Sequence, residues 1–105
     1  MNDLLRAVAD PTRRQMLTRL RRGPAPAARL GEGFAMSQPA ISQHLRVLRQ
    51  AGLVESQRQG RQRVYRLRPQ GLQAVHDWVK QFESFWQERL DALEHVLDDM
   101  EPADG

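Results

Sequence analysis

The sequence predicts a mainly α-helical protein that carries one small β-hairpin. Three observations predict this fold class. Apolar residues recur at helical spacing over most of the chain, prolines and glycines stand where that spacing stops, and one short basic segment alternates with a period of two instead. The chain of 105 residues suits a single domain with a modest core.

The first two helices lie at the N-terminus. A helix over residues 1–9 has one apolar face. Asp10 and Pro11 then provide a capping side chain and a first-turn proline, which together predict the start of a second helix. That helix ends at Gly23, directly ahead of another proline. The apolar face of the first helix consists of Leu4, Leu5 and Val8.

Residues 26–52 predict two helices joined by a short turn. The first opens at Pro26 and centres on Leu30, although glycines weaken its C-terminal end. The second is capped by Ser37 and ends at Gly52. Its buried stripe repeats at i, i+4 and i+7 and consists of Ile41, Leu45 and Leu48.

Residues 53–68 have the pattern of two β-strands joined by a tight turn. The strands are expected over residues 53–57 and 63–67, with the turn around Gly60. Five arginines occur in this segment, so one face can pack while the other meets solvent or phosphate. A helix pair followed by such a basic hairpin, or wing, predicts a winged helix-turn-helix.

From residue 70 to about residue 100 the apolar spacing predicts one helix, roughly 45 Å long at 1.5 Å per residue. A small domain cannot cover that length, so its apolar stripe is expected to bury against a second copy of the chain. We therefore predict a homodimer through helices 1–9 and 70–100, followed by a tail over residues 101–105. The expected interface consists of Leu4, Leu5 and Val8 of the first helix and of Val79, Phe82, Trp86, Leu93 and Leu97 of the long helix.

Charge is divided unevenly along the chain. Residues 1–68 contain fourteen arginines and four acidic residues, a net charge of +10. Residues 69–105 contain two basic and nine acidic residues, a net charge of −7. This division favours a part that binds a polyanion and an acidic part kept away from it. Two solvated faces of opposite sign would give the same counts, so charge alone does not establish nucleic-acid binding.

The polar face of the helix over residues 37–52 predicts contacts with double-stranded DNA. The first half of a recognition helix enters the major groove, while flanking basic side chains hold phosphates. Gln43 can form two hydrogen bonds with adenine, whereas Ser37 serves mainly as the helix cap. His44 lies near the apolar face, which favours a structural histidine first and a phosphate contact second. The predicted DNA-binding residues are Ser37, Gln38, Ser42, Gln43, His44, Arg46 and Arg49 of the helix and Arg58, Arg61 and Arg63 of the wing.

The composition argues against several classes of protein. The absence of cysteine excludes disulfides and thiolate metal sites. No nucleophile elbow and no phosphate-binding glycine loop occurs, so we predict neither an enzyme nor a bound cofactor. No apolar run approaches the roughly 20 residues that span a bilayer. Charged residues interrupt the apolar residues near the start of the sequence, so we expect no signal peptide. We expect a cytoplasmic protein without a membrane partner.

Three motifs resemble the ArsR/SmtB family of bacterial winged-helix repressors. They are DPTRRQML at residues 10–17, MSQPAISQHLRVLRQAGLV at residues 36–54 and GRQRVYRL at residues 60–67. The similarity extends in motif order over nearly the whole chain. The resemblance implies a homodimer that binds an imperfect inverted repeat and blocks transcription until a signal lowers its affinity for DNA.

The signal itself stays open. The family is known for metal sensing, but Pro26 and Ala28 occupy the positions that carry two cysteines in one type of family site. A second type of site has only a partial counterpart, at His95. A metal-responsive repressor with an unrecognised intersubunit site is therefore an alternative, as is a winged-helix protein-interaction module. An unknown small-molecule inducer could bind the aromatic residues of the terminal helix, which more often form a core.

Overall fold

The structure is a computed structural model, and it describes residues 1–100. The predicted tail over residues 101–105 lies outside the described residues. The chain divides into two compact units between Val75 and His76. The elements in chain order are α1 (Asn2–Val8), α2 (Pro11–Leu20), β1 (Ala25–Pro26), α3 (Ala27–Leu30), α4 (Gln38–Gln50), β2 (Val54–Gln59), β3 (Gln62–Leu67), α5 (Pro69–Lys80) and α6 (Glu83–Met100).

The predicted mainly helical class is confirmed, and local signals explain where α2 and α4 begin and where α4 ends. α2 itself ends at Leu20, ahead of the predicted end at Gly23. Asp10 caps α2 and Ser37 caps α4. In each case a side-chain oxygen accepts a hydrogen bond from the backbone N–H three residues ahead, at 2.9 and 3.3 Å. Gly52 follows α4 with a φ of +82°, and the N–H of Leu53 donates to the carbonyl of Leu48 at 3.0 Å. This Schellman turn ends α4 at the place that Gly52 predicts.

The predicted hairpin forms, with strands slightly longer than expected. β2 and β3 pair antiparallel, from Val54 opposite Leu67 at the open end to the loop at Gly60 and Arg61. Gly60 has a φ of +65°, which glycine adopts without strain. The tight loop therefore projects the basic tip of the wing away from the core.

The third strand, β1, is absent from the sequence prediction. It pairs antiparallel with β3, and the sheet has the strand order β1-β3-β2. Pro26 is extended (φ −73°, ψ 159°) and occupies the N-cap position of α3, which is a single turn that begins one residue later than expected. Two residues are too few to show an alternating pattern, and a proline is tolerated because β1 lies at the sheet edge.

The core of the first unit is built from the buried apolar residues of α2 and the predicted apolar stripe of α4, with α3 and the base of the wing. Leu4 and Val8 of α1 are half-buried and pack against this core. No polar side chain is buried anywhere in residues 1–100. The largest fully buried side chains are Met16, Leu30, Leu45, Leu48, Leu53 and Val54.

The prediction of one continuous helix over residues 70–100 is wrong. The structure has two helices, α5 and α6, separated at Gln81 and Phe82. The N–H of Gln81 bonds to the carbonyl of Trp78 at 3.3 Å, and that of Phe82 to Val79 at 3.0 Å. These bonds reach back three residues, which tightens the backbone and interrupts the α-helix. No proline or glycine marks the break, and the apolar spacing continues through it.

α6 and the part of α5 after Val75 expose their apolar side chains. α6 buries none of its residues, although many of them are apolar. Ten large apolar residues between Trp78 and Met100 are exposed, from 39% at Trp78 to 71% at Met100. An apolar surface of this extent is unusual for a chain that acts alone. No helix within residues 1–100 is both long enough and apolar enough to cross a membrane.

Candidate nucleic-acid interface

The predicted recognition residues lie on the face of α4 that points away from the core. Ile41, Leu45 and Leu48 are buried, which turns the polar positions between them outward. Six of the seven helix residues predicted to bind DNA are exposed, and the exception is His44, which is half-buried. The exposed six are Ser37, Gln38, Ser42, Gln43, Arg46 and Arg49.

One shallow depression joins the recognition helix to the wing. Ser42, Arg46 and Arg49 of α4 line it together with Arg63 and Tyr65 of β3, and its volume is about 280 Å³. None of the three guanidinium groups has a carboxylate within 4 Å in the described part of the chain. The fold thus brings four predicted DNA-binding residues from two elements to one place. Converging guanidinium groups without acidic partners are well suited to phosphate oxygens.

Two arginines of the wing lie directly opposite each other on neighbouring strands. Arg58 pairs with Arg63 in the strand register, and like charges at such positions destabilise a hairpin. Arg63 Nη1 donates to Ser56 Oγ at 3.0 Å, and Arg58 Nε donates to the carbonyl of Gly60 at 3.4 Å. With Arg61 exposed on the loop, the wing concentrates positive charge that a bound polyanion would neutralise.

Arg66 differs from the other arginines of the wing. Its Nε lies 2.7 Å from Glu55 Oε1, and the two residues are direct partners across the strands. Because its charge is already paired, Arg66 is a natural control for the unpaired arginines nearby. Arg66 is not among the DNA-binding residues predicted from the sequence.

His44 is held from within the chain by Arg13, a residue that the sequence analysis did not single out. Arg13 Nη1 lies 3.1 Å from His44 Nδ1, while Arg13 Nε and Nη2 donate to the carbonyls of Ala7 and Arg6 at 2.8 and 3.1 Å. A guanidinium group can only donate, so Nδ1 of His44 is the acceptor in this hydrogen bond. The recognition helix is thereby tied to the end of α1. This geometry supports the structural interpretation of His44.

Asp10 completes this cluster. The hydrogen bond from the backbone N–H of Arg13 lowers the pKa of Asp10 below its ordinary value of 3.8. The positive charge of Arg13 lowers the pKa further, while partial burial acts in the opposite direction. The cap of α2 therefore depends on Asp10 being ionised.

We expect Asp10→Ala to lower the free energy of unfolding by about 1 kcal/mol at neutral pH, the usual value of such a cap. A carboxyl whose pKa is depressed on folding stabilises the protein fully above its unfolded pKa of about 3.9. The stabilisation is lost as the pH falls through the lower folded pKa. Urea unfolding across this range should therefore show the native protein and the variant converging in acid.

Asp3→Ala is the matched control, because Asp3 is also a carboxylate near a helix start but is exposed. Its side chain accepts no hydrogen bond within residues 1–100. At neutral pH, Asp3→Ala should lower the free energy of unfolding less than Asp10→Ala does. An equal loss in both variants would show that general charge, rather than the cap of α2, is being measured.

A single chain, over the described residues 1–100, brings no three His, Asp or Glu side chains together as a metal ion requires. Pro26 and Ala28 at the start of α3 offer no donor atoms in their side chains.

The chain is similar to known regulatory proteins over most of its length. The model for "Bacterial regulatory protein, arsR family" matches residues 10–56. The HTH-type transcriptional regulator Rv2034 of Mycobacterium tuberculosis is 39% identical over 88% of this chain and 83% of that protein. The transcriptional repressor SdpR of Bacillus subtilis is 38% identical over 78% of this chain and 91% of that protein. A crystal structure of an ArsR family transcriptional regulator gives a TM-score of 0.75 at 35% identity, covering 82% and 89% of the two chains.

Proposed function

This chain belongs to the arsR family of bacterial regulatory proteins, and from that premise we propose that it represses transcription as a homodimer on an inverted repeat in double-stranded DNA. Binding DNA to regulate transcription is the shared role of the family. The observation that carries the proposal is the depression at α4 and β3. There, guanidinium groups of both elements lie close together without carboxylate partners. Phosphates on either side of a major groove would meet these groups while α4 lies in the groove.

Within that arrangement the exposed residues divide into two roles. Gln38, Ser42 and Gln43 lie in the first half of α4 and would contact base edges. The arginines of the second half and of the wing would hold phosphates, which fixes orientation without reading sequence. The face of α4 carries no exposed large apolar anchor within the described chain, and interfaces with proteins usually depend on such anchors. The surface therefore supports DNA over a protein as the partner of α4.

The homodimer is proposed from the exposed apolar face of α5 and α6. α6 has 18 residues and buries none of them in the single chain, so its apolar stripe needs a partner. A second copy supplies an identical face, as an isologous interface requires. Leu5 of α1 would contribute, because it is half-buried and lies outside the core cluster that includes Leu4 and Val8. Two copies would present two recognition helices to two half-sites.

We infer a regulatory rather than a catalytic role, carried out in the cytoplasm where bacterial DNA is accessible. The aromatic residues of α5 and α6 form two edge-to-face pairs, Trp78 with Phe82 at 5.2 Å and Phe85 with Trp86 at 5.5 Å between ring centres. Such pairs suit the interior of a dimer interface. A dimer interface would therefore explain both aromatic pairs without an apolar inducer.

The direct test is a titration of the protein with labelled DNA from its own upstream region and with a scrambled duplex, by fluorescence anisotropy at several salt concentrations. We expect tight, sequence-selective and steeply salt-dependent binding with two chains per site. Equally weak binding to both duplexes, together with capture of a protein by the α4 face, would favour the interaction module instead.

In the same assay, Arg61→Ala combined with Arg63→Ala should weaken binding to all duplexes about equally. The slope of log K against log salt should decrease by up to about 0.9 for each phosphate contact that is lost. Arg66→Ala, which removes a charge already paired with Glu55, should change the slope less. An unchanged slope in the double variant would remove the wing from the mechanism.

Gln43→Ala, in contrast, should weaken binding to the operator more than binding to scrambled DNA. Gln43 is exposed on α4, and its Oε1 only weakly accepts from Arg46 Nη1, at 3.5 Å. Loss of a base contact should reduce the preference for the operator over scrambled DNA by about 1–3 kcal/mol, with little change in nonspecific binding. Equal losses on both duplexes would mean that Gln43 does not read bases.

A further inference from the structure

A second group of arginines lies outside the recognition helix and the wing. Arg19, Arg21 and Arg22 lie at the C-terminal end of α2 and just beyond it, and Arg29 lies in α3. None of the four has a carboxylate within 4 Å in residues 1–100. The proposed DNA contact uses none of them. Their concentration therefore requires a separate explanation.

Three of these arginines line a cavity of about 520 Å³, which we name the arginine cavity. Its walls are the end of α2, the turn into β1, α3 and the loop after α3. Ala25 and Leu30, both buried, give it an apolar base. Its size lies within the range of about 300–1,000 Å³ that is usual for small-molecule sites. The charged residues that line it are Arg19, Arg22, Arg29 and Glu32, a net charge of +2.

Arg19 is held in position before any ligand binds. Its Nη1 donates to the carbonyls of Leu30 at 3.0 Å and Arg29 at 3.4 Å, and its guanidinium carbon lies 4.6 Å from the ring centre of Phe34. The N–H groups of Nε and Nη2 have no partner within the described residues. A guanidinium that is fixed on one side and keeps free donors on the other binds an oxyanion at little entropic cost.

We propose that the arginine cavity binds a small, free, multiply charged molecule that carries phosphate or carboxylate groups. Arg19 would serve as the fixed donor, and the exposed side chains of Arg22 and Arg29 would close on the ligand from either side. The concave shape and apolar base favour a small molecule over the backbone of a duplex. The cavity shares no residue with the depression at α4 and β3. This inference goes beyond the proposed function and does not depend on it.

The test is a titration of the full-length protein with inorganic pyrophosphate, followed by ¹⁵N NMR without DNA and with sodium chloride at matched ionic strength as the reference. The amides of Gly23 and Gly33, at two edges of the cavity, should shift in a saturable manner. Arg22→Gln combined with Arg29→Gln should weaken this binding at least tenfold. Neither side chain makes a hydrogen bond in the described structure, so the variant should keep the native spectrum elsewhere.

Arg58→Gln combined with Arg61→Gln is the matched control, because it removes the same charge from the wing. It should bind pyrophosphate as the native protein does. The proposal is overturned if the wing variant loses as much affinity, or if the largest shift falls on Gly60 of the wing. It is also overturned if the variant of Arg22 and Arg29 flattens the salt dependence of DNA binding, since the arginines would then hold DNA phosphates. A failure of DNA binding itself would leave the pyrophosphate result unaffected.

Discussion

We expect the combined substitution Leu93→Glu and Leu97→Glu to leave this regulator monomeric. Both leucines lie on α6 and are 53% and 57% exposed in the single chain. If these leucines are buried in the dimer, each contributes about 0.75–1.5 kcal/mol, half the value for a fully exposed leucine, because each is already about half-buried. A symmetric dimer contains four of these side chains. The loss then amounts to about 3–6 kcal/mol, a roughly 10²- to 10⁴-fold increase in the Kd of the dimer. Sedimentation velocity at several protein concentrations measures this change directly.

The fold of the first unit should survive this substitution, because α6 contributes nothing to its core. Circular dichroism provides that check. Ser84→Glu combined with His95→Glu adds the same charge on the opposite side of α6 and should leave the dimer intact. The dimer model fails if the leucine variant sediments as the native protein does. It also fails if the two variants dissociate equally, since charge alone would then be responsible.

The second large effect is expected at Gly71, in the first turn of α5. Helix propensity alone predicts that alanine there would stabilise the protein by about 1 kcal/mol. In the structure, however, a Cβ at position 71 would overlap the carbonyl oxygen of Gly52 and lie 3.0 Å from its carbonyl carbon. Both are backbone atoms and cannot rotate away. We therefore expect Gly71→Ala to lower the free energy of unfolding by about 1–3 kcal/mol.

Urea unfolding of Gly71→Ala beside Gln73→Ala measures this effect. Gln73 is an exposed position on the same helix, so its replacement should change stability by no more than about 0.5 kcal/mol. A Gly71→Ala variant more stable than the native protein would mean that α5 does not approach the turn after α4 as closely as the structure has it.

Much of the fold could be predicted because its determinants are local. The side chains of Asp10 and Ser37 bond to backbone N–H groups three residues away, and Gly52 stops α4 within one turn. The apolar stripe of α4 likewise follows from residues three and four apart. Such signals involve only neighbours along the chain, so the sequence contains all the information that they need.

The break at Gln81 and the strand β1 show where local patterns fail. The apolar spacing continues past Gln81, and that spacing is equally compatible with one continuous helix and with two helices. β1 consists of two residues whose conformation is stabilised by pairing with β3, about forty residues further along the chain. Neither the break nor β1 is determined by neighbouring residues along the chain, so the sequence predicts neither of them.

By itself, the sequence determined the helical class, the caps, the wing and the outward residues of α4, because periodicity and capping depend on neighbours. The tertiary structure alone decided which distant residues meet. It placed Arg63 beside Arg46 and Arg49, tied Arg13 to His44 across 31 residues, and left no room for a side chain at position 71. These contacts depend on how separate elements pack, and packing is a property of the whole core rather than of any single segment.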